Sequence, residues 1–171
     1  MRLFIFLWQL FKYFVDKKSN KNGFMLFARG LEIEWAYNPD HWKWNQEKDA
    51  SGEDIEVAEL IKVSLLELKG DVWTIDLSLG TQYEIVFVVK IIGGNISSFS
   101  VKLNINCPNF EFEERHESLE GKPLNEWFEI QVGEFIMSPK MVGHLKFSLH
   151  ATDQSWKAGL VVKCAIIRPK N

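Results

Sequence analysis

A chain of 171 residues, 46% hydrophobic and 25% charged, has the make-up of one globular domain large enough to bury a core without disulfide or metal support. Its net charge of −3, with Lys and Arg scattered along the chain, excludes an electrostatic surface for nucleic acid. Two cysteines are too few for a disulfide framework, and neither has metal-ligand spacing.

The chain opens on an almost wholly apolar stretch, residues 3–15, interrupted by Gln9 and Lys12 and followed by Asp16-Lys17-Lys18. It is shorter than the roughly 20 apolar residues of a membrane span and lacks the small-residue end of a signal peptide. Either a short helix or strand packed on the domain, or a partner-binding extension, is expected there. Residues 17–23 (KKSNKNG) read as a linker, which divides the chain into an extension, 1–27, and a domain, 28–171.

From Gly30 onward the apolar residues recur mostly with period two, the signature of half-buried strands. Residues 31–35, 63–69 and 72–79 are the first such runs, with Lys69-Gly70-Asp71 as a turn between the last two. Residues 54–61 (DIEVAELI) are the one place for a helical turn, with Asp54 as its cap. Residues 83–92 are continuously apolar and β-branched, as in a central strand covered on both faces. Residues 95–107 and 145–151 alternate cleanly, 127–135 and 159–168 follow the same rule, and the charged run 111–120 reads as a solvated loop. Cys107 and Cys164 sit on apolar faces of such runs and are expected as small core residues. Eight or so short strands predict an all-β, antiparallel two-sheet β-sandwich, jelly-roll-like in form.

Reactive chemistry finds little support. His41, His116, His144 and His150 form no zinc-binding helix motif, and His116 among Glu113, Glu114 and Glu117 belongs to the charged loop. There is no phosphate-binding glycine loop and no nucleophile elbow, so neither a metal nor a cofactor is expected and the chain is not read as an enzyme. Asn95-Ile96-Ser97 is a glycosylation sequon, which matters only in a secreted chain.

The positive signal is tryptophan. Trp35, Trp42 and Trp44 crowd around an Asn38-Pro39-Asp40 turn, and large rings among polar loop residues suit a ligand with a flat apolar face and a polar rim, such as a sugar. Trp35 is either the last core residue of its strand or part of that site, because it shares parity with Leu31 and Ile33. Trp42 and Trp44 lie beyond Pro39, where strand pairing is expected to have stopped, and Trp42 is the firmest exposed candidate. Trp73 shares parity with Ile75, Leu77 and Leu79 and is expected in the core, whereas Trp127 opposes its apolar neighbours and is expected outside. Trp156, beside Lys157, is another ring on a loop, where binding residues concentrate.

The blocks Gly30-Leu-Glu-Ile-Glu-Trp35, Asn38-Pro-Asp-His-Trp42-Lys-Trp44 and Ile55-Glu-Val-Ala-Glu-Leu60 resemble the opening of the phloem protein 2 domain of plants. The resemblance continues through residues 83–90, 126–135 and 156–163 to Ile167-Arg-Pro169, in order, and covers residues 28–169. It implies a non-catalytic lectin of the cytoplasm or phloem sap, made without a signal peptide. It also implies ligands among N-acetylglucosamine oligomers, N-glycan cores and the glycoproteins that carry them. The sugar-contacting tryptophans of the family fall on Trp35 and Trp42. Acidic residues implicated in related lectins fall near His144 and His150, so the histidines put the sugar preference in question. The segment after Cys107 is short and acidic, without the lysine-rich nuclear signal of some relatives.

The expected site is therefore Trp42 with Trp35 or Trp44 as stacking rings. Asn38, Asp40, His150, Trp156 and Lys157 supply the rim. A homodimer would multiply weak single sites, with no membrane span and no nucleic acid involved. The alternative is a protein-interaction module that uses the same exposed aromatics.

Overall fold

Alternation in the sequence is realised as strand after strand. The computed structural model describes residues 10–151 and 153–171. Among them lie twelve strands: β1 (Phe11–Asp16), β2 (Lys21–Phe27), β3 (Glu32–Ile33), β4 (Trp42–Lys48), β5 (Asp54–Leu60) and β6 (Leu66–Trp73) form the first half. The second half comprises β7 (Gln82–Ile91), β8 (Ser100–Asn106), β9 (Phe112–Ser118), β10 (Trp127–Ile136), β11 (His144–Ala151) and β12 (Leu160–Pro169). The only helical pieces among the described residues are four single 3-10 turns, so no helix there is long and apolar enough to cross a membrane.

Every strand pair is antiparallel, and the strands form two sheets. One has five strands in the order β3-β6-β11-β8-β9. The other is forked: β10 and β7 line one edge of β12, while its other edge pairs with β5 through Val161 and Val162 and with β2 through residues 164–167. The inward faces interdigitate, for example where the ring of Phe87 on β7 meets that of Phe147 on β11 at 5.6 Å. The expected sandwich is thus the observed one, and β7 is the doubly covered central strand that its apolar run predicts.

Several local expectations are corrected. Residues 17–23 are not a linker but the turn and the start of β2, because β1 and β2 pair along Phe11↔Leu26 to Asp16↔Lys21 and β2 joins β12. The part of the apolar stretch before residue 10 lies outside the described residues. Residues 54–60 of the expected helical turn 54–61 are strand rather than helix, since pairing with β4 from Trp42↔Leu60 to Lys48↔Asp54 outweighs a weak local preference. The charged run 111–120 contains β9, an edge strand whose charges suit an edge exposed to solvent. Lys69-Gly70-Asp71 is no turn: β6 runs straight through it. Gly70 is needed there because the Phe147 ring of β11 occupies the space of a side chain, with a Cβ only 2.1 Å from ring carbon Cζ.

Parity fails where strands end. β6 buries Leu66, Leu68, Gly70 and Val72, which turns Trp73 outward, and a 3-10 turn at Thr74–Asp76 breaks the period so that only Leu77 of the expected face is buried. Trp127 is half-buried rather than free. It packs on a second apolar cluster on the outside of the forked sheet, under the ammonium groups of Lys90 and Lys163 at 4.3 and 5.3 Å. Cys164 belongs to that cluster and burial pushes its thiol up to about 12, while Cys107 is half-buried and pushed up to about 11, so neither is a ready thiolate.

Candidate functional site

The tryptophan-rich segment is a loop held from beneath. After β3 the Glu34 amide donates to Glu67 O at 3.1 Å, and Trp35 then adopts a left-handed φ of 66°. That conformation costs a non-glycine residue about 1–2 kcal/mol and throws the ring outward, so Trp35 is not the last core residue of a strand. The turns that follow close with Ala36 N donating to Ile33 O, Asn38 N to Trp35 O and His41 N to Asn38 O, all within 3.1 Å. Asn38 Oδ1 accepts from the Asp40 amide at 2.9 Å, which commits the Asn38 side chain to the loop itself and leaves Asp40 exposed.

Trp42 is the principal correction. Regular pairing resumes at β4 rather than stopping at Pro39, and Trp42 opposite Leu60 faces the core with 2% of its surface exposed. Its Nε1 donates to Glu34 O at 2.9 Å. Trp44, two residues on and half-buried, donates from Nε1 to Ala36 O at 3.1 Å, while the Arg29 guanidinium, held by Glu56, lies 3.6 Å above its ring. These two indoles fasten the loop that carries Trp35 and Tyr37. Trp44 also lines, with Ala36, Tyr37, Pro39, Lys43, Ile61 and the otherwise buried Trp42, a shallow depression of about 370 Å³.

A second loop is fastened just as firmly. Lys157 is fully buried, so its expected place on a polar rim is also corrected. Its ammonium donates to Ser64 O at 2.6 Å, to Ser155 O at 2.8 Å and to Asp153 O, over the ring of Phe99 at 4.9 Å. Burial pulls the pKa of that amine down, a tendency that Asp153 opposes. Backbone bonds between Val63 and Lys157 run in both directions. Asn95, the sequon residue, clamps the other side: its Nδ2 donates to Trp156 O at 2.6 Å and its Oδ1 accepts from Ala158 N at 2.9 Å. Gly159 makes this approach possible, since a Cβ there would lie 1.9 Å from Gly93 O.

The two loops meet ring to ring. Trp35 lies 6.0 Å from Tyr37 and 5.8 Å from His41, and His41 stacks at 6.5 Å and 18° on Trp156. Tyr37 is 82% and Trp156 57% exposed, so the ridge presents π-faces to solvent. The Lys62 ammonium stands 5.8 Å over Trp156, and Lys62 O lies 2.8 Å from His41 Nδ1, which fixes the imidazole between the two indoles. Trp35 and Trp156, two of the residues expected at the site, are brought together around His41. Tyr37, His41, Lys62 and Asn95 are additions, the first two legible as aromatic neighbours within the same short stretch.

Beside the ridge, the outer face of the five-stranded sheet holds a polar cleft of about 700 Å³, lined among others by Glu67, Lys69, Asp71, Lys146, Ser148 and His150. His150 is therefore a cleft residue rather than a member of the Trp156 loop. Its Nε2 lies 2.8 Å from Ser148 Oγ and its Nδ1 3.7 Å from Glu67. Burial holds its pKa below the ordinary histidine value; Glu67 and Glu114 act against this, while Lys69 and Lys102 add to it. His144, at the far end, meets Asp71 Oδ1 at 2.8 Å. Among the described residues no three His, Cys, Asp or Glu side chains gather as a metal site.

Comparison with known proteins gives these loops a context. The family model described as "Phloem protein 2" matches residues 21–169. A protein named "Lectin" from Luffa acutangula is 36% identical over 93% of this chain and 76% of its own length. From Arabidopsis thaliana, Protein PHLOEM PROTEIN 2-LIKE A1 is 37% identical over 93% of this chain and 66% of its own, and Protein PHLOEM PROTEIN 2-LIKE A5 is 38% identical over 94% and 40%. The chain thus spans between two fifths and three quarters of these relatives.

Proposed function

The chain belongs to the phloem protein 2 family, and we propose that it is a non-catalytic carbohydrate-binding lectin whose site is the ridge formed by Trp35, Tyr37 and Trp156 around His41. The observation that carries this reading is the convergence of exposed rings from two loops, each fastened by buried tethers. Rings held in place in advance lose little entropy when a ligand stacks on them. A pyranose offers an apolar C–H face to such rings and hydroxyls to the rim, where Asp40, Lys62 and the Gln154 and Ser155 side of the second loop stand exposed.

As ligands we infer N-acetylglucosamine oligomers and N-glycan cores. The depression beside Tyr37, walled by Ala36, Pro39 and Trp44, suits the methyl of an N-acetyl group. Hydroxyls exchange water for protein partners at little net gain, so one site is expected to bind with a Kd between about 1 μM and 1 mM. A homodimer working in cytoplasm or phloem sap would join two such sites and raise avidity on glycoproteins. A glycan array tests the reading: chitin oligomers should bind, and Trp156→Ala should weaken them about tenfold while leaving the melting temperature within a few degrees of the unaltered protein. A folded protein that binds no glycan would sink it and turn the same rings into a docking surface for a polypeptide.

A further inference from the structure

We propose that the aromatic ridge is one end of a longer sugar-binding groove whose far end is a second aromatic subsite, built by Trp73, His144 and Phe110. The inference rests on the lectin reading and extends it from a single ring site to an oligosaccharide lying across the five-stranded sheet.

Continuity of the surface is the first observation. The polar cleft and the next depression, of about 440 Å³, share Asn106 and Lys146 as lining residues, and the second is walled by Trp73, Pro108, Phe110, Val142 and His144. At the near end, Glu67 accepts the hydrogen bond of Glu34, the residue before Trp35, and Leu66 pairs with Ala151 at the start of the Trp156 loop. Strands β6 and β11 thus run from beside the ridge loops, along the cleft, to the second aromatic group. From Leu66 to Trp73 that path is about 24 Å at roughly 3.4 Å per residue, more than a disaccharide spans.

The far end carries its own signs of being built for contact. Trp73 is half exposed, and its ring meets the cross-strand His144 edge to face at 4.9 Å, with His144 anchored by Asp71. Phe110 stands on the turn between β8 and β9, 96% exposed and in a left-handed conformation with φ of 69°. A wet aromatic ring on strained backbone contributes nothing to the core, and strain of that kind collects where ligands are held.

Charge selects the occupant. The floor alternates in sign, Glu67 with Lys69 at 2.8 Å and Asp71 beside Lys146, and adds the uncharged donors and acceptors of Asn104, Asn106 and Ser148. Such a floor has no field of one sign to attract a polyanion or a polycation, and it offers hydrogen bonds throughout. With a π-face at either end, it fits a neutral, hydroxyl-rich chain longer than two sugars.

Calorimetric titration with chitobiose and chitohexaose tests this. The unaltered protein should bind the hexamer at least about tenfold more tightly, and Trp73→Ala should lower hexamer affinity about tenfold, with Phe110→Ala acting in the same direction. A longer oligomer also gains from its number of equivalent registers, so the variants decide. If Trp73→Ala binds chitohexaose as tightly as the unaltered protein while Trp156→Ala loses both sugars, the groove is wrong and the ridge stands. If the unaltered protein binds neither sugar, the lectin reading falls and the groove with it.

Discussion

Replacing Trp42 by alanine should lower stability by about 4 kcal/mol, a drop in melting temperature of about 8–16 °C for a domain of this size. The ring is sealed in the main core beside Leu60 and Ala58, and its indole N–H satisfies Glu34 O, which would otherwise be left without that partner. Trp42→Phe keeps most of the volume and loses the hydrogen bond, so it should cost about 1–2 kcal/mol. Weakened sugar binding in Trp42→Ala would follow from the freed loop at residues 34–41 rather than from a lost stacking surface. Thermal melting separates the two: a Trp42→Ala protein with an unchanged melting temperature and no sugar binding would mean that this ring touches the ligand directly.

Lys157→Met is the second large effect. The substitution keeps the stem but removes an ammonium that binds three backbone carbonyls from two segments, and stranded buried acceptors cost about 1–3 kcal/mol each when nothing replaces the donor. Part of this returns because the lysine itself pays to lose water, so a net loss of about 2–3 kcal/mol is expected in urea unfolding. Sugar affinity should fall with it, because Ser155 and Trp156 lose their tether. A Lys157→Met protein as stable as the unaltered one would show that the carbonyls find other partners and that the buried amine is not what positions the loop.

The contrast between Trp42 and Trp156 also shows how far sequence patterns reach. Alternation locates β8 and β11, where one face is buried and a period of two survives as long as the strand does, and a continuous apolar run locates β7, which is covered on both faces. Alternation misplaces Trp73 because that residue ends its strand, where a 3-10 turn resets the phase; of the two places open to Trp35, its left-handed backbone takes the outward one, and Trp42 is buried because pairing resumes beyond Pro39. Gly70 was misread as a turn because the ring that demands it, Phe147, is distant in sequence and adjacent only across the sheet. Residues 54–61 held a helical pattern that cross-strand pairing overrode.

The candidate site is legible in part for the same reasons. Aromatic rings among polar residues mark both loops in the sequence, and the ring contacts of His41 with Trp35 and Trp156 join them in the fold. The resemblance also pointed to Trp42 as a sugar contact, and in this fold its ring is committed to the core. Lys157 looked like a rim residue because its partners, Ser64 O above all, lie far along the chain and are backbone groups with no sequence signal. Asn95, legible in the sequence only as the first residue of a sequon, uses both ends of its amide to hold the Trp156 loop.

The central claim, that the ridge and not the buried indole of Trp42 meets the sugar, is most directly tested by nuclear magnetic resonance of the tryptophan indole N–H groups during titration with chitotriose. The signals of Trp35 and Trp156 should move and saturate together, and that of Trp44, which walls the depression for the N-acetyl methyl, should shift with them, while that of Trp42, which donates to Glu34 O, should stay in place. Movement of the Trp42 signal with Trp35 and Trp156 unmoved would contradict it.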